Sequence, residues 1–238
     1  GWPDIAGGAF IYENRRDDPI NWNEGGVFIY LGGENGFSVS PHQTVVGKVY
    51  QNQTWGGVNN HQLGYRLSAG DYNGDGYCDL VASSVSWALG AKGIVYVYSG
   101  HPADEWGFGG VSSRPQVIIA SDQEQDQSGQ LGRRLTSADF NGDGIDDLAI
   151  AHHTNDNTLT NQGTVHVFYG GEIISWDGHP EVNDEETPVL LSPYQADWSY
   201  SGQIHDQFGT FMSAIDYDGQ GPMDLMVTSM YGDGVNGW

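Results

Sequence analysis

Side-chain oxygens alternate with small or aromatic residues in the nine-residue stretch DYNGDGYCD, which begins at Asp71. The side chains of Asp71, Asn73 and Asp75 stand at positions one, three and five, and Asp79 stands at position nine. Glycines in the stretch let the backbone curl, so these oxygens are expected to converge with the main-chain carbonyl of Tyr77 at position seven. Such a shell suits a hard divalent cation, and it fits Ca²⁺ best because Ca²⁺ accepts about six to eight oxygen ligands.

The same pattern returns twice further along the chain, as DFNGDGIDD and DYDGQGPMD. Each copy keeps three acids, although the last has an acid in place of the Asn and an amide in place of the middle acid. The first residues of the chain match the end of the pattern, so that Asp4 corresponds to Asp79. The sequence therefore predicts about three calcium sites, with Asp4 as a further ligand position. The predicted ligands of the two later copies are Asp139, Asn141, Asp143, the carbonyl of Ile145 and Asp147, followed by Asp216, Asp218, Gln220, the carbonyl of Pro222 and Asp224.

An EF-hand loop and an ordinary turn are the alternatives to a calcium loop of this kind. The EF-hand loop begins in the same way but requires a bidentate Glu at position twelve. The twelfth residues here are Ala82, Ile150 and Val227, which are apolar and lie in predicted strands, so the EF-hand is excluded. Ordinary turns stay open as an alternative, because Asp, Asn and Gly are also common in turns that bind no metal.

Other segments recur in phase with the acidic stretches, at intervals of roughly 70 residues. A Leu-Gly or Phe-Gly pair precedes each acidic stretch, in the segments LGYRLS, LGRRLT and FGTFMS. β-branched and aromatic segments such as GIVYVY and GTVHVF follow the acidic stretches. No helical periodicity separates them, and each unit supplies about four short strands. Units of this kind predict an all-β protein made of four-stranded antiparallel blades of a β-propeller. A β-sandwich with coincidental turns is the alternative.

In these features the chain resembles the FG-GAP repeats that build the seven-bladed propeller of integrin α subunits and of many bacterial surface or secreted proteins. The acidic stretches and the GxVYVY-like strands carry the resemblance, together with the Phe-Gly pair at Phe208. The resemblance implies about half of a seven-bladed ring, completed by the rest of a parent protein or by another copy. It also implies calcium loops that are structural and lie away from the partner-binding loops. The repeat pattern divides this partial propeller into residues 1–42, 43–114, 115–185 and 186–238.

The charge of the chain restricts the partners that it can bind. With 31 Asp and Glu against 8 Lys and Arg, the formal net charge is −23, which argues against binding nucleic acid or an anionic membrane surface. No apolar run approaches the length of a membrane span, so direct membrane insertion is not expected. The single cysteine, Cys78, excludes an internal disulfide framework. Weak calcium sites fill only where free calcium is plentiful, so we expect an extracellular or cell-surface location.

Enzyme signatures are scarce, since the sequence contains no HExxH, no GxSxG and no phosphate-binding glycine loop ahead of a helix. A pair of acids for glycoside cleavage stays open, although the prominent carboxylates are already assigned to metal. The adjacent His152 and His153 are expected in a surface loop.

Tryptophans in polar, glycine-rich segments are the remaining candidates, either as platforms that bind a ligand or as local plugs. They are Trp55, Trp87, Trp106, Trp176 and Trp198. We therefore expect a calcium-stabilised recognition or adhesion module that binds a protein or a glycan. The alternative is a non-binding scaffold domain of a larger surface assembly or of a secreted enzyme.

Overall fold

A computed structural model of the chain describes residues 3–12, 25–46, 62–85, 92–102, 110–112, 114–120, 130–152, 161–171 and 188–231. Within these ranges the regular elements are β-strands, apart from the single 3₁₀ turn Pro193–Gln195. None of the described segments forms a helix with the length and apolar character needed to cross a membrane. The strands in chain order are β1 (Ile5–Ala9), β2 (Gly26–Tyr30), β3 (Gly32–Gly33), β4 (Gly36–Phe37), β5 (Gln43–Val46), β6 (Leu67–Gly70), β7 (Asp79–Ser84), β8 (Ile94–Tyr98), β9 (Gly100–His101), β10 (Gly110–Val111), β11 (Val117–Ala120), β12 (Arg134–Ala138), β13 (Asp147–His152), β14 (Thr164–Phe168), β15 (Val189–Leu191), β16 (Trp198–Ser201), β17 (Phe211–Ile215) and β18 (Asp224–Thr228).

The strands assemble into four main sheets, which we number I to IV along the chain. Sheet I contains β1, β2 and β5, and sheet II contains β6, β7, β8 and β11 with β15 added outside β11. Sheet III contains β12, β13, β14 and β16, and sheet IV contains β17 and β18. Neighbouring strands in each main sheet are antiparallel, except that β15 is parallel to β11. Sheets II and III confirm the prediction of four-stranded antiparallel blades.

The middle strands of sheets II and III are buried on both faces, which explains why they contain mostly apolar and small residues. β7 and β13 are buried along their whole length. On β7, Leu80 and Ala82 belong to an apolar cluster shared with sheet I, whereas Val81 belongs to a second cluster shared with sheet III. Burial of each large apolar side chain contributes about 1.5–3 kcal/mol, so these two layers hold neighbouring blades together.

The innermost strands β6, β12 and β17 contact one another in sequence, so sheets II, III and IV meet along their inner edges. The hydroxyl oxygens of Ser68 on β6 and Ser137 on β12 are 2.6 Å apart and form a hydrogen bond between the two strands. Blades that meet at their inner edges are what a radial array requires. The number of blades in a complete ring stays a prediction.

The Leu-Gly or Phe-Gly pair of each unit docks onto the sheet before it. A Cβ added to Gly163 would lie 2.4 Å from the backbone nitrogen of Phe208, and the φ angle of Gly163 is +73°. Gly93 lies against Leu131 in the same way, with a φ angle of +77°. The amide of Phe208 also donates a hydrogen bond to the carbonyl of Gln162 at 3.2 Å. Glycine is required at these two positions because the backbone is left-handed and the next unit leaves no room for a side chain.

Replacing Gly163 by Ala is therefore expected to lower the free energy of unfolding by about 3–5 kcal/mol, since the new methyl group collides with backbone in addition to the unfavourable φ. Urea denaturation followed by tryptophan fluorescence measures the loss. Gly36→Ala is the matched control, because Gly36 has a φ angle of +95° but nothing within 4 Å of an added Cβ. That variant should lose only about 1–2 kcal/mol. Equal losses in the two variants would show that the docking contact contributes nothing.

The outer strands of the third unit differ from the regular pattern. β15, the counterpart of β5 and β11 in the sequence, pairs with β11 of sheet II instead of with β14. β16 takes the outer position in sheet III. The backbone amide of Tyr169 donates to Oδ2 of Asp197 at 2.8 Å, which holds the start of β16 beside β14. β15 in turn covers the outer edge of sheet II, whose backbone groups would otherwise lack strand partners.

His152 is fully buried as the last residue of β13, so the prediction of a surface loop is wrong for this residue. Its ring lies 6.0 Å from that of His166, and Nδ1 of His166 is 2.9 Å from the hydroxyl of Ser199 on β16. The strand continues to His152 because that side chain packs beside a neighbouring strand instead of facing solvent. His153 lies outside the described residues.

Candidate metal sites

The three acidic stretches form loops between the innermost strand and the second strand of sheets II, III and IV. We call them the first, second and third acidic loops, for residues 71–79, 139–147 and 216–224. The amide of Asp146 donates to the carbonyl of Asp71 at 3.0 Å, and the amide of Met223 donates to the carbonyl of Asp139 at 2.8 Å. Both bonds join position eight of one loop to position one of the loop before it. The acidic loops therefore lie side by side at one end of the inner strands.

Inside the first acidic loop, polar side chains hold the backbone in a tight curl. The carboxylate of Asp71 accepts hydrogen bonds from the amides of Asp75 at 3.1 Å and Gly76 at 2.9 Å. The side-chain oxygen of Asn73 accepts from the amide of Asp75 at 2.9 Å. In the second loop, Asn141 accepts the equivalent bond from the amide of Asp143, and Asp139 accepts that from the amide of Gly144. Asp and Asn favour such turns, so the alternation of side-chain oxygens gives the loop its shape before any ion is considered.

The ninth residue of each loop also anchors the following strands. In the first loop Asp79 is 1% exposed, its Oδ1 accepts from the amide of Gly100 at 2.7 Å, and its Oδ2 accepts from the amide of Tyr72 at 3.0 Å. Asp147 is equally buried and accepts the equivalent bonds in the second loop. Asp4 accepts from the amide of Gly32 at 2.8 Å, which is the same bond one unit earlier. The anchoring role does not exclude metal binding, because each carboxylate oxygen has two lone pairs.

Burial changes the proton affinity of these anchors. Burial raises the pKa of the Asp79 carboxyl to about 7, the hydrogen bonds from Gly100 and Tyr72 act in the opposite direction, and the nearby charges of Asp75 and Asp71 raise it further. Burial likewise raises the pKa of Asp147. An adjacent divalent cation would favour the ionised forms, since a positive charge stabilises a carboxylate.

The third acidic loop brings three carboxylates together. Asp216, Asp218 and Asp224 each place an oxygen within 4.8 Å of the others, and all three side chains are exposed. Three oxygens at this spacing can contact one divalent cation. Across the part of the chain that the structure describes, no other trio of acidic, His or Cys side chains is grouped in this way. At position three of this loop, Asp218 supplies a carboxylate where Asn73 and Asn141 offer amides in the other two loops.

The acidic loops therefore fit a divalent cation by the chemistry of their donors, with the strongest geometric support in the third loop. The full ligand sets stay predictions, including the main-chain carbonyls of Tyr77, Ile145 and Pro222 and the amide of Gln220. The backbone amide of Gln220 donates to Oδ1 of Asp218 at 2.8 Å, which keeps the third loop in the same curl as the other two.

Comparison with known families explains the repeated geometry. The model of the FG-GAP repeat matches residues 63–98 and 131–168, which run from the docking Leu-Gly pair through the acidic loop to the third strand of sheets II and III. The chain therefore contains two FG-GAP repeats.

Proteins similar to this chain include phosphatidylinositol-glycan-specific phospholipases D and integrin alpha-5. This chain is 26% identical over 184 residues to the phosphatidylinositol-glycan-specific phospholipase D of Rattus norvegicus. The aligned region covers 73% of this chain and 19% of that protein. The chain is 27% identical over 182 residues to the Mus musculus protein of the same name, with the same coverage. It is 25% identical over 165 residues to integrin alpha-5 of Xenopus laevis, which covers 68% of this chain and 14% of that protein. The FG-GAP chain thus spans less than a fifth of the length of these relatives.

Of the five predicted aromatic platforms, the structure describes one. Trp198 on β16 is 43% exposed, and its ring lies parallel to that of Tyr200 at 6.3 Å with an interplanar angle of 13°. Tyr200 in turn contacts Phe208 edge to face at 5.2 Å. The remaining tryptophans lie outside the described residues, and they are Trp55, Trp87, Trp106 and Trp176.

Two features of the FG-GAP units were not predicted from the sequence. An aromatic residue stands at position two of every acidic loop, and in the first loop that residue, Tyr72, is fully buried between sheets II and III. A Gln precedes each Leu-Gly or Phe-Gly pair, and Gln62, Gln130 and Gln207 all have φ angles between 50° and 53°. The recurrence of these residues in phase with the loops was the signal that could have revealed both.

Proposed function

We propose that this FG-GAP chain is a calcium-stabilised recognition module of an extracellular or cell-surface protein, with calcium in its acidic loops. The observation that carries the proposal is the trio Asp216, Asp218 and Asp224, whose oxygens lie within 4.8 Å of one another in a loop built like the other two. Three carboxylates that approach so closely repel one another, and a divalent cation converts that repulsion into attraction.

The ions would act as structural links between blades. Bound calcium supplies positive charge to a set of oxygens that the chain already gathers. Because position eight of one loop is hydrogen-bonded to position one of the loop before it, ordering one loop also fixes the edge of its neighbour. The net charge of −23 adds a general reason for cation binding, since any bound divalent ion reduces self-repulsion in the folded chain.

Isothermal titration of the metal-stripped protein with CaCl₂ tests this proposal. We expect about three sites in the wild type and one fewer in Asp218→Asn, which removes a carboxylate from the trio. Glu34→Gln is the control, because it deletes an equally exposed acid outside the acidic loops. Absence of saturable heat in the wild type, or an equal loss of sites in both variants, would contradict the proposal.

Recognition or adhesion is the role that fits a propeller of this kind, with a protein or a glycan as the partner. Trp198 and Tyr200 support this part of the proposal, since stacked, exposed rings offer a large contact area at small cost in side-chain entropy. A glycan array and a panel of purified extracellular proteins provide the test. Binding should fall in the Trp198→Ser, Tyr200→Ser double variant and persist in Phe37→Ser, which replaces another exposed ring.

The second candidate function is a scaffold domain without a ligand of its own, attached to a secreted enzyme or a larger surface assembly. The relatives named phospholipase D favour it, because the chain corresponds to 19% of the length of those proteins. A protein that shows the calcium sites but no hit in either screen would support the scaffold function.

A further inference from the structure

Arginines and aromatic rings line up at the beginning of the inner strands, at the end that is opposite to the acidic loops. Arg66, Arg134 and Phe211 occupy the same position in three successive units, in the segments YRLS, RRLT and TFMS. Arg66 directly precedes β6, while Arg134 and Phe211 begin β12 and β17. With their neighbours Tyr65 and Arg133 they form a group that we call the inner-edge cluster.

Ring contacts connect this cluster across the blades. The guanidinium carbon of Arg134 lies 4.8 Å from the ring centroid of Phe211, which joins sheets III and IV. That of Arg66 lies 4.8 Å above the ring of Tyr65, whose other neighbour is Phe10 at 5.5 Å between centroids. A planar guanidinium group that packs against a ring has a fixed orientation, and its N–H groups at the edge can still donate hydrogen bonds to a ligand.

The hydrogen bonds of these guanidinium groups go to neutral oxygens. Nη1 of Arg66 donates to the carbonyl of Tyr65 at 3.0 Å, and Nη1 of Arg134 donates to the carbonyl of Arg133 at 2.8 Å. Arg133 itself donates to the side-chain oxygen of Gln130. Among the described residues no carboxylate accepts a hydrogen bond from the three arginines, and each guanidinium keeps further donors, since it carries five.

The three positive charges also act on one another. Burial lowers the pKa of Arg134, and the charges of Arg66 and Arg133 lower it further. The chain has 8 Lys and Arg in total against 31 Asp and Glu, so gathering three arginines at one place is not a consequence of composition. Like charges at short distance are unfavourable by themselves, and an anion between them removes that penalty.

We propose that the inner-edge cluster binds an isolated carboxylate, such as the side chain of one Asp or Glu in a partner protein. The N–H fork of a guanidinium group matches a planar carboxylate, and the rings of Tyr65 and Phe211 provide apolar contact for the chain that carries it. The net charge of −23 repels a dense polyanion at long range, whereas a single carboxylate on a short segment approaches with little repulsion.

The inference rests on the proposed recognition role but not on the acidic loops, from which the cluster is separated by the length of the inner strands, about 15 Å. Failure of peptide binding in a protein that still takes up calcium would therefore refute the inference alone. Loss of both would refute the proposed function as well.

The test uses the calcium-loaded protein and follows the arginine Nε–H signals by NMR during titration with capped Gly-Asp-Gly. Signals of Arg66 and Arg134 should shift in a saturable manner, whereas capped Gly-Asn-Gly should leave them in place. The Arg66→Gln, Arg134→Gln double variant should bind the Asp peptide at least about tenfold more weakly, because both forks are lost. Arg114→Gln is the matched control and should bind normally.

A further variant separates charge from geometry. Arg66→Lys keeps the positive charge without the fork, so it should bind the Asp peptide more weakly than the wild type but more tightly than the double variant. Three results would overturn the proposal: no saturable shift, an equal response to the Asn peptide, or tighter binding of inorganic phosphate or a heparin oligosaccharide than of the Asp peptide.

Discussion

Transfer of the protein from 2 mM CaCl₂ to EGTA is expected to lower its melting temperature by about 10–20 °C. A site with a dissociation constant of about 10⁻⁴ M contributes about 1.8 kcal/mol at this concentration, and three sites contribute about 5 kcal/mol. Each kcal/mol shifts the melting temperature of a protein of this size by about 2–4 °C. Differential scanning calorimetry in the two buffers measures the shift directly.

Two controls make this result specific to the acidic loops. Equimolar MgCl₂ should restore little of the stability, because Mg²⁺ demands a smaller octahedral shell and gives up its water reluctantly. Asp218→Asn should reduce the calcium-dependent shift by about a third, whereas Glu34→Gln should leave it unchanged. A melting temperature that is the same in calcium and in EGTA would remove the basis for the proposed calcium sites.

The second large effect is expected at Tyr72, where replacement by Ala should cost about 3–5 kcal/mol. Tyr72 is fully buried in the apolar layer between sheets II and III, together with Val81, Leu148 and Phe168. Its phenol is also hydrogen-bonded to the hydroxyl of Ser137 on β12. Burial raises the pKa of Tyr72, in keeping with a phenol that is held neutral inside the protein.

Two variants separate the contributions of the ring and the hydroxyl. Tyr72→Phe keeps the ring and loses one hydrogen bond, so the expected cost is about 1 kcal/mol. Tyr217→Ala removes the residue at the same loop position in the third loop, where the side chain is 86% exposed, and should cost less than about 0.5 kcal/mol. Urea denaturation of the three variants provides the comparison. A similar cost for Tyr72→Ala and Tyr217→Ala would mean that the layer between the sheets does not depend on Tyr72.

Much of the fold follows from local sequence features that can be recognised without the structure. Strands such as GIVYVY are β-branched and aromatic, so they form sheet wherever they pack, and the acidic loops curl because Asp and Asn bond to nearby amides. The Leu-Gly and Phe-Gly pairs mark where each unit docks against the sheet before it. These features recur in phase, and their recurrence predicted both the four-stranded blades and the match to FG-GAP repeats.

The partner of an outer strand could not be predicted in the same way. Val189–Leu191 has the apolar pattern of an outer strand, and nothing within it distinguishes the edge of sheet II from that of sheet III. The choice depends on which backbone groups lie unpaired nearby, which is a property of the assembled sheets. The burial of His152 has the same origin, since it depends on the strands that cover it.

By itself, the amino-acid sequence determined the repeat, the strands, the acidic loops and the ligand types that favour calcium, because each of these depends on residues close together in the chain. Tertiary structure decided that Tyr72 is buried between sheets II and III, and three carboxylates meet in the third loop. It also placed Arg134 of one unit against Phe211 of the next, close enough to Arg66 for the two positive charges to interact. Burial and proximity between distant segments arise only when blades pack against one another, and no local pattern contains them.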